Sequence, residues 1–119
     1  VYEVFNYFKE RINTAKKHKI NEIIIDMGFG FAKTLEQNYT LLKELNYFKN
    51  LNYPILTGVS RKSMIYKVLD CTPSKALNGT TALNMAALIN GSKILRVHDV
   101  KQAMECVNLY NAMVKEPRI

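Results

Sequence analysis

The chain is poor in cysteine, proline and glycine and has no tryptophan: its 119 residues include two Cys, three Pro and five Gly. The two cysteines, Cys71 and Cys106, are far apart, with no CxxC pair and no nearby pair of histidines. This pattern indicates neither a zinc site nor a disulfide framework, and we expect both to be buried thiols. With 48% hydrophobic and 23% charged residues, the composition is typical of a packed globular segment and excludes a disordered or fibrous one.

Long hydrophobic runs are also missing. No run approaches the roughly 18 apolar residues of a membrane span, and no basic stretch followed by an apolar core marks a signal peptide. The sequence therefore predicts a soluble, cytoplasmic protein without a membrane partner.

Acidic residues are fewer than basic ones, 10 against 17, which gives a net charge of +7. This excess favours anionic partners, but it leaves nucleic acid, a phosphorylated metabolite and mere solubility open.

Apolar periodicity predicts helices that alternate with short strands. Residues 1–19 carry apolar side chains every three or four positions, as one face of an amphipathic helix does. This helix ends in the basic cluster 16–19, where cations complement the negative end of the helix dipole. The run 23–25 is continuous and β-branched, which is typical of a strand buried on both faces. The same patterns predict the strands 54–57 and 94–97 and the helices 35–48, 62–69, 79–89 and 100–114. Asp99 followed by Gln102 resembles a capping box, which predicts the start of the last helix.

The predicted order αβαβααβα has the spacing of successive β/α units. Equivalent strand residues Ile23, Ile55 and Ile94 are 32 and 39 residues apart, which suits right-handed crossovers between parallel strands. Eight such units need roughly 280 residues, near the size of a (β/α)₈ barrel, and three strands cannot close one. We therefore predict that residues 1–119 are the C-terminal portion of one (β/α)₈ barrel domain, whose N-terminal strands are absent. A small free-standing three-layer α/β domain is the alternative.

Each predicted strand runs into a polar or glycine-rich loop, namely 26–31, 58–63 and 96–99. Because the carboxyl ends of parallel strands meet at one edge of a sheet, we expect these loops to converge. Asp26 either organises a turn or accepts paired hydrogen bonds from a heterocycle that bears an amino group and an adjacent ring N–H. The loop lacks the third glycine of GxGxxG, which argues against a dinucleotide site.

The aromatic residues of the loop 26–31 and the basic residues of the loop 58–63 each allow two interpretations. Phe29 and Phe31 are either core residues, or one of them stacks on a flat ligand. Arg61 and Lys62 are either a solvated pair, or Lys62 points inward and donates to a ring atom of the ligand. Ser60 can simply cap the following helix.

The third loop carries a guanidinium and an imidazole. Arg96 and His98 are two residues apart on a predicted strand, so they share one face of the pleat and can grip an anion. The alternative is structural: Arg96 pairs with a carboxylate, and His98 binds a loop.

Three motifs in these loops resemble segments of the dihydropteroate synthase family. Residues 26–34, DMGFGFAKT, resemble the family's DPGFGFAKT; residues 58–63, GVSRKS, resemble its G-x-SRKS loop; residues 96–100 match its RVHDV end. Their order and spacing agree with the family from about Asn21 onward, and residues 78–82 resemble its G-T-x-A helix start. Met27 stands where the family usually has proline, which loosens the backbone after Asp26.

The resemblance implies a (β/α)₈ enzyme of folate biosynthesis. It implies that the enzyme joins p-aminobenzoate to 6-hydroxymethyl-7,8-dihydropterin pyrophosphate, releases pyrophosphate, uses Mg²⁺ and is inhibited by sulfonamides at the p-aminobenzoate pocket. It also implies a homodimer that packs through the C-terminal barrel helices. The magnesium contact, the mobile loops and further pterin contacts of the family come from earlier strands. We therefore expect the isolated segment to be inactive.

The resemblance also implies roles for individual residues. Asp26, Lys62 and Phe31 would bind the pterin, Arg96 and His98 the pyrophosphate, and Ser60, Arg61 and Phe31 the p-aminobenzoate, with Lys62, Arg96 and His98 as the catalytic residues.

Two alternatives remain from the sequence. One is the methyltetrahydrofolate-binding barrel of a corrinoid methyltransferase, which shares the pterin-binding carboxylate but not the paired SRKS and RVHDV motifs. The other is a non-enzymatic basic module that binds nucleic acid or protein. No basic stripe with interleaved aromatic residues supports the second alternative.

Overall fold

The structure is a computed structural model that describes residues 1–31 and 33–115. Ala32, within the glycine-rich motif, and residues 116–119 lie outside the described residues. In the described ranges, five α-helices and three strands follow one another in the predicted order: α1 Tyr2–Lys17, β1 Ile25–Asp26, α2 Leu35–Lys43, β2 Ile55–Thr57, α3 Ser63–Tyr66, α4 Leu77–Ile89, β3 Ile94–Leu95 and α5 Val100–Val114. Two short 3₁₀ helices, Leu45–Leu51 and Pro73–Lys75, follow α2 and α3.

The strands form a parallel sheet in the order β1-β2-β3, as successive β/α units require. Ile25 is in register with Ile55, and Leu56 with Ile94. Ile25 and Ile55 belong to one buried cluster with side chains of the helices. Ile24 points to the opposite face of the pleat and is 56% exposed. The prediction that the first strand is buried on both faces is therefore wrong at Ile24, because the described helices cover one face only.

The predicted apolar stripe of α1 packs against the 3₁₀ helix that follows α2. Ile12 is buried, and the rings of Phe5 and Phe8 lie 6.2 and 6.1 Å from the ring of Phe48, centroid to centroid. Phe48 is fully buried, and Tyr47 adds a further ring contact to Phe5 at 4.8 Å. This aromatic cluster attaches α1 to the sheet domain. Such pairs contribute roughly 0.5–1.5 kcal/mol each beyond area burial.

The residues that precede α2 and α5 differ in whether their side chains cap the helix. Thr34 forms a capping box with Gln37 at the start of α2, through bonds of 3.1 and 2.9 Å. At the start of α5, Asp99 makes no side-chain cap bond. The predicted capping box of Asp99 and Gln102 is therefore wrong, because the Asp99 carboxylate binds Arg61 instead.

The two thiols differ in their burial. Cys106 is buried as predicted, and burial raises the pKa of its thiol. Cys71 is only partly buried, which corrects the prediction for that residue.

Among the described helices, none is long and apolar enough to cross a bilayer.

Gly79 makes close packing of α3 on α4 possible, and we expect Gly79→Ala to destabilise the fold. A Cβ at position 79 would lie 2.5 Å from Cγ2 of Ile65 and 2.9 Å from Cδ1 of Leu69. Overpacking of this kind costs about 1–3 kcal/mol, against a gain in helix propensity of at most about 1 kcal/mol. The free energy of unfolding from urea titration measures the difference. Asn78→Ala, at the exposed preceding residue of the same helix, is the control; an unchanged value for Gly79→Ala would refute this packing argument.

Candidate active site

The loops after the three strands converge at one edge of the sheet, as predicted. The loops after β2 and β3 form a cleft of about 110 Å³, which is lined by Gly58, Ser60, Lys62, Arg96, Val97 and His98. Four of these residues were identified from the sequence. The parallel topology brings them together because each follows the carboxyl end of a strand.

Asp26, at the end of β1, joins this edge through an ion pair with Arg96. Its Oδ2 accepts a hydrogen bond from Arg96 Nη1 at 2.7 Å, and its Oδ1 accepts one from the backbone N–H of Gly28 at 2.9 Å. The two side chains are 40% and 51% exposed. Burial alone would raise the pKa of Asp26, but the bonds from Arg96 and Gly28 and the charges of Arg96 and Lys62 outweigh it and hold this pKa below its usual value. Asp26 thus organises the turn and also stays ionised beside two cations.

The lowered pKa of Asp26 predicts an acid-dependent loss of stability. Because its folded pKa is below the unfolded value of 3.8, the stabilisation is complete above that value and disappears as the pH falls through the folded pKa. The pair is well exposed, so we expect less than about 1 kcal/mol. Urea unfolding between pH 6 and the acid limit tests this by comparing the chain with Asp26→Asn. A parallel decline of the two curves below pH 4 would contradict the prediction.

The glycine-rich loop after β1 is held by polar contacts. Gly28 and Gly30 have left-handed backbones, with φ of +63° and +87°, which glycine adopts without strain. Lys33 Nζ donates to the Gly28 carbonyl at 2.9 Å, and the Gly30 N–H donates to Asn38 Oδ1 at 2.8 Å. The loop therefore has a defined shape in spite of Met27, which is itself buried at 2% exposure.

The two aromatic residues of this loop differ in their burial. Phe29 is fully buried in the core, whereas Phe31 is 66% exposed. The ammonium of Lys62 lies 5.1 Å from the centre of the Phe31 ring, within the range of a cation–π contact. Phe31 is therefore free to pack on a flat ligand next to Lys62.

Lys62 points inward from the loop after β2. Its Nζ donates to the Phe29 carbonyl at 2.6 Å. Burial lowers the pKa of Lys62; the charges of Arg96 and Lys33 lower it further, and Asp26 opposes them in part. Lys62 thus ties the first two loops together and presents its ammonium to the cleft.

Arg96 lies directly over the backbone of Gly58. A Cβ at position 58 would be 2.6 Å from Arg96 Nη2 and 3.0 Å from its Cζ. His98 lies on the same side of the cleft, where its Nδ1 is 2.6 Å from Ser60 Oγ. The contacts of the structural alternative are therefore present for both residues, since Arg96 pairs with the carboxylate of Asp26 and His98 binds a loop residue. Both also line the cleft, as an anion grip requires.

Arg61 turns away from the cleft. Its Nε and Nη2 donate to the two carboxylate oxygens of Asp99 at 2.9 and 3.0 Å, and its Nη1 donates to the carbonyls of Pro73 and Ser74. The bond to Asp99 raises the pKa of Arg61 and lowers that of Asp99. Arg61 is not among the residues that line the cleft. Its contact with p-aminobenzoate stays a prediction.

Sequence reasoning missed the residues that shape these loops. Gly58 makes room for Arg96, Asp99 binds Arg61, and Thr80 Oγ1 accepts the backbone N–H of Arg61 at 3.0 Å. All three lie in segments that matched a motif, but each had a local explanation as a strand end or a helix start. Contacts between residues 19 to 38 positions apart carry no local pattern.

Mg²⁺ stays an expectation from the resemblance. In the ranges 1–31 and 33–115, no three acidic, histidine or cysteine side chains cluster so as to hold a metal ion. Asp26, a carboxylate at this edge of the sheet, accepts one hydrogen bond at each oxygen, from Arg96 and from Gly28.

Comparison with known proteins defines the class. The model of the family described as pterin binding enzyme matches residues 1–98, and the chain belongs to this family. Among curated relatives, dihydropteroate synthase of Escherichia coli strain K12 is 42% identical over 112 residues, which cover 92% of this chain and 40% of that protein. The enzyme of Haemophilus influenzae is 40% identical, over 94% of this chain and 42% of its own length.

Solved structures show the same likeness. Yersinia pestis dihydropteroate synthase superimposes with a TM-score of 0.93 at 32% identity, over 97% of this chain and 55% of that one. The Xanthomonas albilineans enzyme with 4-aminobenzoic acid gives 0.94 at 33% identity, over 98% of this chain and 44% of that one. The chain thus has the fold of part of a (β/α)₈ barrel. It spans about 40% of the length of the curated relatives it matches.

Proposed function

We propose that this chain is the C-terminal part of a dihydropteroate synthase. The complete enzyme would condense p-aminobenzoate with 6-hydroxymethyl-7,8-dihydropterin pyrophosphate to give dihydropteroate and pyrophosphate. The observation that carries this proposal is the meeting of Asp26 with Lys62, Arg96 and His98 at one edge of the sheet in a member of the pterin-binding family. Each relative named above is a dihydropteroate synthase, and we favour this activity over that of a corrinoid methyltransferase.

Asp26 suits the edge of a pterin that bears an amino group and a ring N–H. Its lowered pKa keeps it ionised at neutral pH, so it acts as an acceptor only. A carboxylate offers about four lone-pair sites, and Arg96 and Gly28 use two of them. The others accept the two parallel donors of the pterin. Lys62 donates to a pterin oxygen or nitrogen, and Phe31 packs against the ring.

Arg96 and His98 suit the departing pyrophosphate. The amine nitrogen of p-aminobenzoate forms a bond to the exocyclic methylene carbon of the pterin while the carbon–oxygen bond to pyrophosphate breaks. Pyrophosphate leaves with the electron pair, and the amine nitrogen then loses a proton. Fixed donors aimed at the leaving oxygen atoms stabilise the charge that develops there. This route needs no covalent enzyme intermediate.

The ligands of the structural neighbours extend the proposal to inhibitors. The Yersinia pestis enzyme has been solved as a sulfonamide drug complex and the Xanthomonas albilineans enzyme with 4-aminobenzoic acid. We propose that the complete enzyme binds p-aminobenzoate and sulfonamides in one pocket on the Phe31 and Lys62 side of the cleft. Ser60 and Arg61 belong to this pocket only as predictions from the resemblance.

The remaining parts of the proposal concern the complete enzyme. Mg²⁺ would accompany the pyrophosphate, bound by groups other than the described residues. A homodimer would use apolar side chains that α5 exposes, among them Val100, Met104 and Leu109, which are 63%, 53% and 66% exposed. A cytoplasmic location is likewise a prediction.

The test is an assay of the complete protein with both substrates and Mg²⁺. We expect dihydropteroate and pyrophosphate in equal amounts, inhibited by a sulfonamide in competition with p-aminobenzoate. Residues 1–119 alone should give no measurable product, because they carry only part of the site. Turnover by residues 1–119 alone would refute the partial site, and transfer of a methyl group from methyltetrahydrofolate, without dihydropteroate formation, would refute the function.

A further inference from the structure

Two adjacent contacts connect the loop after β2 with the loop after β3. Ser60 Oγ lies 2.6 Å from His98 Nδ1 and accepts the backbone N–H of His98 at 3.3 Å. The next residue along each loop repeats the pairing, since Arg61 donates twice to Asp99. We call these four residues, Ser60, Arg61, His98 and Asp99, the loop brace.

The backbone of Arg61 shows that the brace is held from several sides. Its φ of +53° is left-handed, which is unfavourable for a residue with a Cβ and persists only where the surroundings impose it. Thr80 Oγ1 accepts the Arg61 N–H at 3.0 Å, and the carbonyls of Pro73 and Ser74 accept from Nη1 at 2.8 and 3.0 Å. A guanidinium has five N–H donors. Four of those of Arg61 are engaged: two by the Asp99 carboxylate and two by the carbonyls of Pro73 and Ser74. Arg61 is thereby fixed between Lys62 and Ser60, which both line the cleft.

The contact between Ser60 Oγ and His98 Nδ1 also bears on which nitrogen of His98 carries a proton. Either atom of this contact can be the donor, depending on the tautomer of His98; because Ser60 Oγ already accepts the backbone N–H of His98, we assign the Ser60 hydroxyl as the donor and Nδ1 as the acceptor. A neutral histidine that accepts at Nδ1 carries its proton on Nε2. Nε2 is then the donor that an anion in the cleft requires.

We propose that Ser60, Arg61 and Asp99 are positioning residues of the site. In this proposal the Arg61–Asp99 pair holds the two loops so that Lys62 and His98 face one cleft, and Ser60 selects the Nε2–H form of His98. Arg61 thus acts through Asp99 and does not contact p-aminobenzoate. The inference rests on the proposed dihydropteroate synthase function, and it replaces the role that the resemblance implies for Ser60 and Arg61.

The first test measures steady-state kinetics of the complete enzyme with Arg61→Lys, Asp99→Asn and the double variant. Lysine keeps the charge but cannot donate twice in a fixed fork. We expect each single variant to lower kcat about 10–100-fold with a nearly unchanged KM for p-aminobenzoate, because small displacements of reacting groups have effects of this size. The double variant should be no slower than the slower single variant. Glu105→Gln, which removes an exposed carboxylate of α5, is the control and should match the wild type.

A direct ligand contact would give a different result. If Arg61→Lys raised the KM for p-aminobenzoate while Asp99→Asn behaved as the wild type, or if the two factors multiplied in the double variant, the positioning role would be refuted. A wild-type enzyme that forms no dihydropteroate would instead refute the proposed function.

The second test needs no turnover. Two-bond ¹⁵N–¹H spectra report which ring nitrogen of a histidine is protonated, and a His98→Gln spectrum assigns the signal. We expect the Nε2–H form in the complete enzyme and a mixture of the two forms in Ser60→Ala, a change of one oxygen atom. An unchanged His98 signal in Ser60→Ala would refute the role of Ser60.

Discussion

Replacing Arg96 with glutamine should lower kcat/KM of the complete enzyme about 10²–10³-fold, the loss found when one fixed donor to a developing charge is removed. Arg96 supplies the guanidinium of the cleft and the ion pair to Asp26 at 2.7 Å. Glutamine removes the charge and, with it, the ion pair to Asp26. Steady-state kinetics measure the loss in kcat/KM, and a calorimetric titration measures the weaker binding of pyrophosphate.

The same variant should have little effect on stability. The ion pair is 51% and 40% exposed at its two ends, and exposed pairs contribute roughly 0–1 kcal/mol. Lys93→Gln, which also removes one exposed positive charge next to β3, is the matched control and should retain full activity. Equal pyrophosphate affinity in Arg96→Gln and Lys93→Gln would show that Arg96 does not bind the anion.

Gly58→Ala should impair the enzyme without removing any functional group. The Cβ would lie 2.6 Å from Arg96 Nη2, so the guanidinium must move by about 1 Å to regain ordinary contact. A displacement of this size can cost about 100-fold in rate. The guanidinium is the far end of a flexible side chain, so we expect a nearly unchanged melting temperature. Kinetics and thermal unfolding of the same sample separate the two effects.

A double variant tests whether Gly58 acts through Arg96. If its only role is to make room for the guanidinium, Gly58→Ala should have no further effect on kcat/KM once Arg96→Gln is present. Independent, multiplying effects would mean that the backbone of Gly58 contributes to the site in some other way.

The elements of the fold could be predicted because their signals are local. The stripe of α1 and the β-branched run before Asp26 each lie within a few residues, and the structure contains the corresponding helix and strand. The strand bounds were less accurate, because the predicted strands 23–25 and 94–97 are observed as Ile25–Asp26 and Ile94–Leu95.

The contacts inside the site could be predicted only in part. Parallel topology places Asp26, Lys62 and Arg96 at one edge, and the motifs identified them. The partner choices escaped prediction because they depend on geometry across distant segments: Asp99 suits a helix cap by pattern, but the guanidinium of Arg61, 38 residues away, offers it two charged donors. A charged bidentate pair is stronger than a cap bond to a neutral backbone N–H.

Calorimetric titration of the complete enzyme with pyrophosphate and with a pterin tests the central claim most directly, because that claim assigns the carboxylate and the guanidinium at this edge to different parts of one substrate. We predict that Asp26→Ala loses pterin binding and keeps pyrophosphate binding, and that Arg96→Ala loses pyrophosphate binding. If both variants, correctly folded, bind both ligands as the wild type does, the site lies elsewhere and the account is wrong.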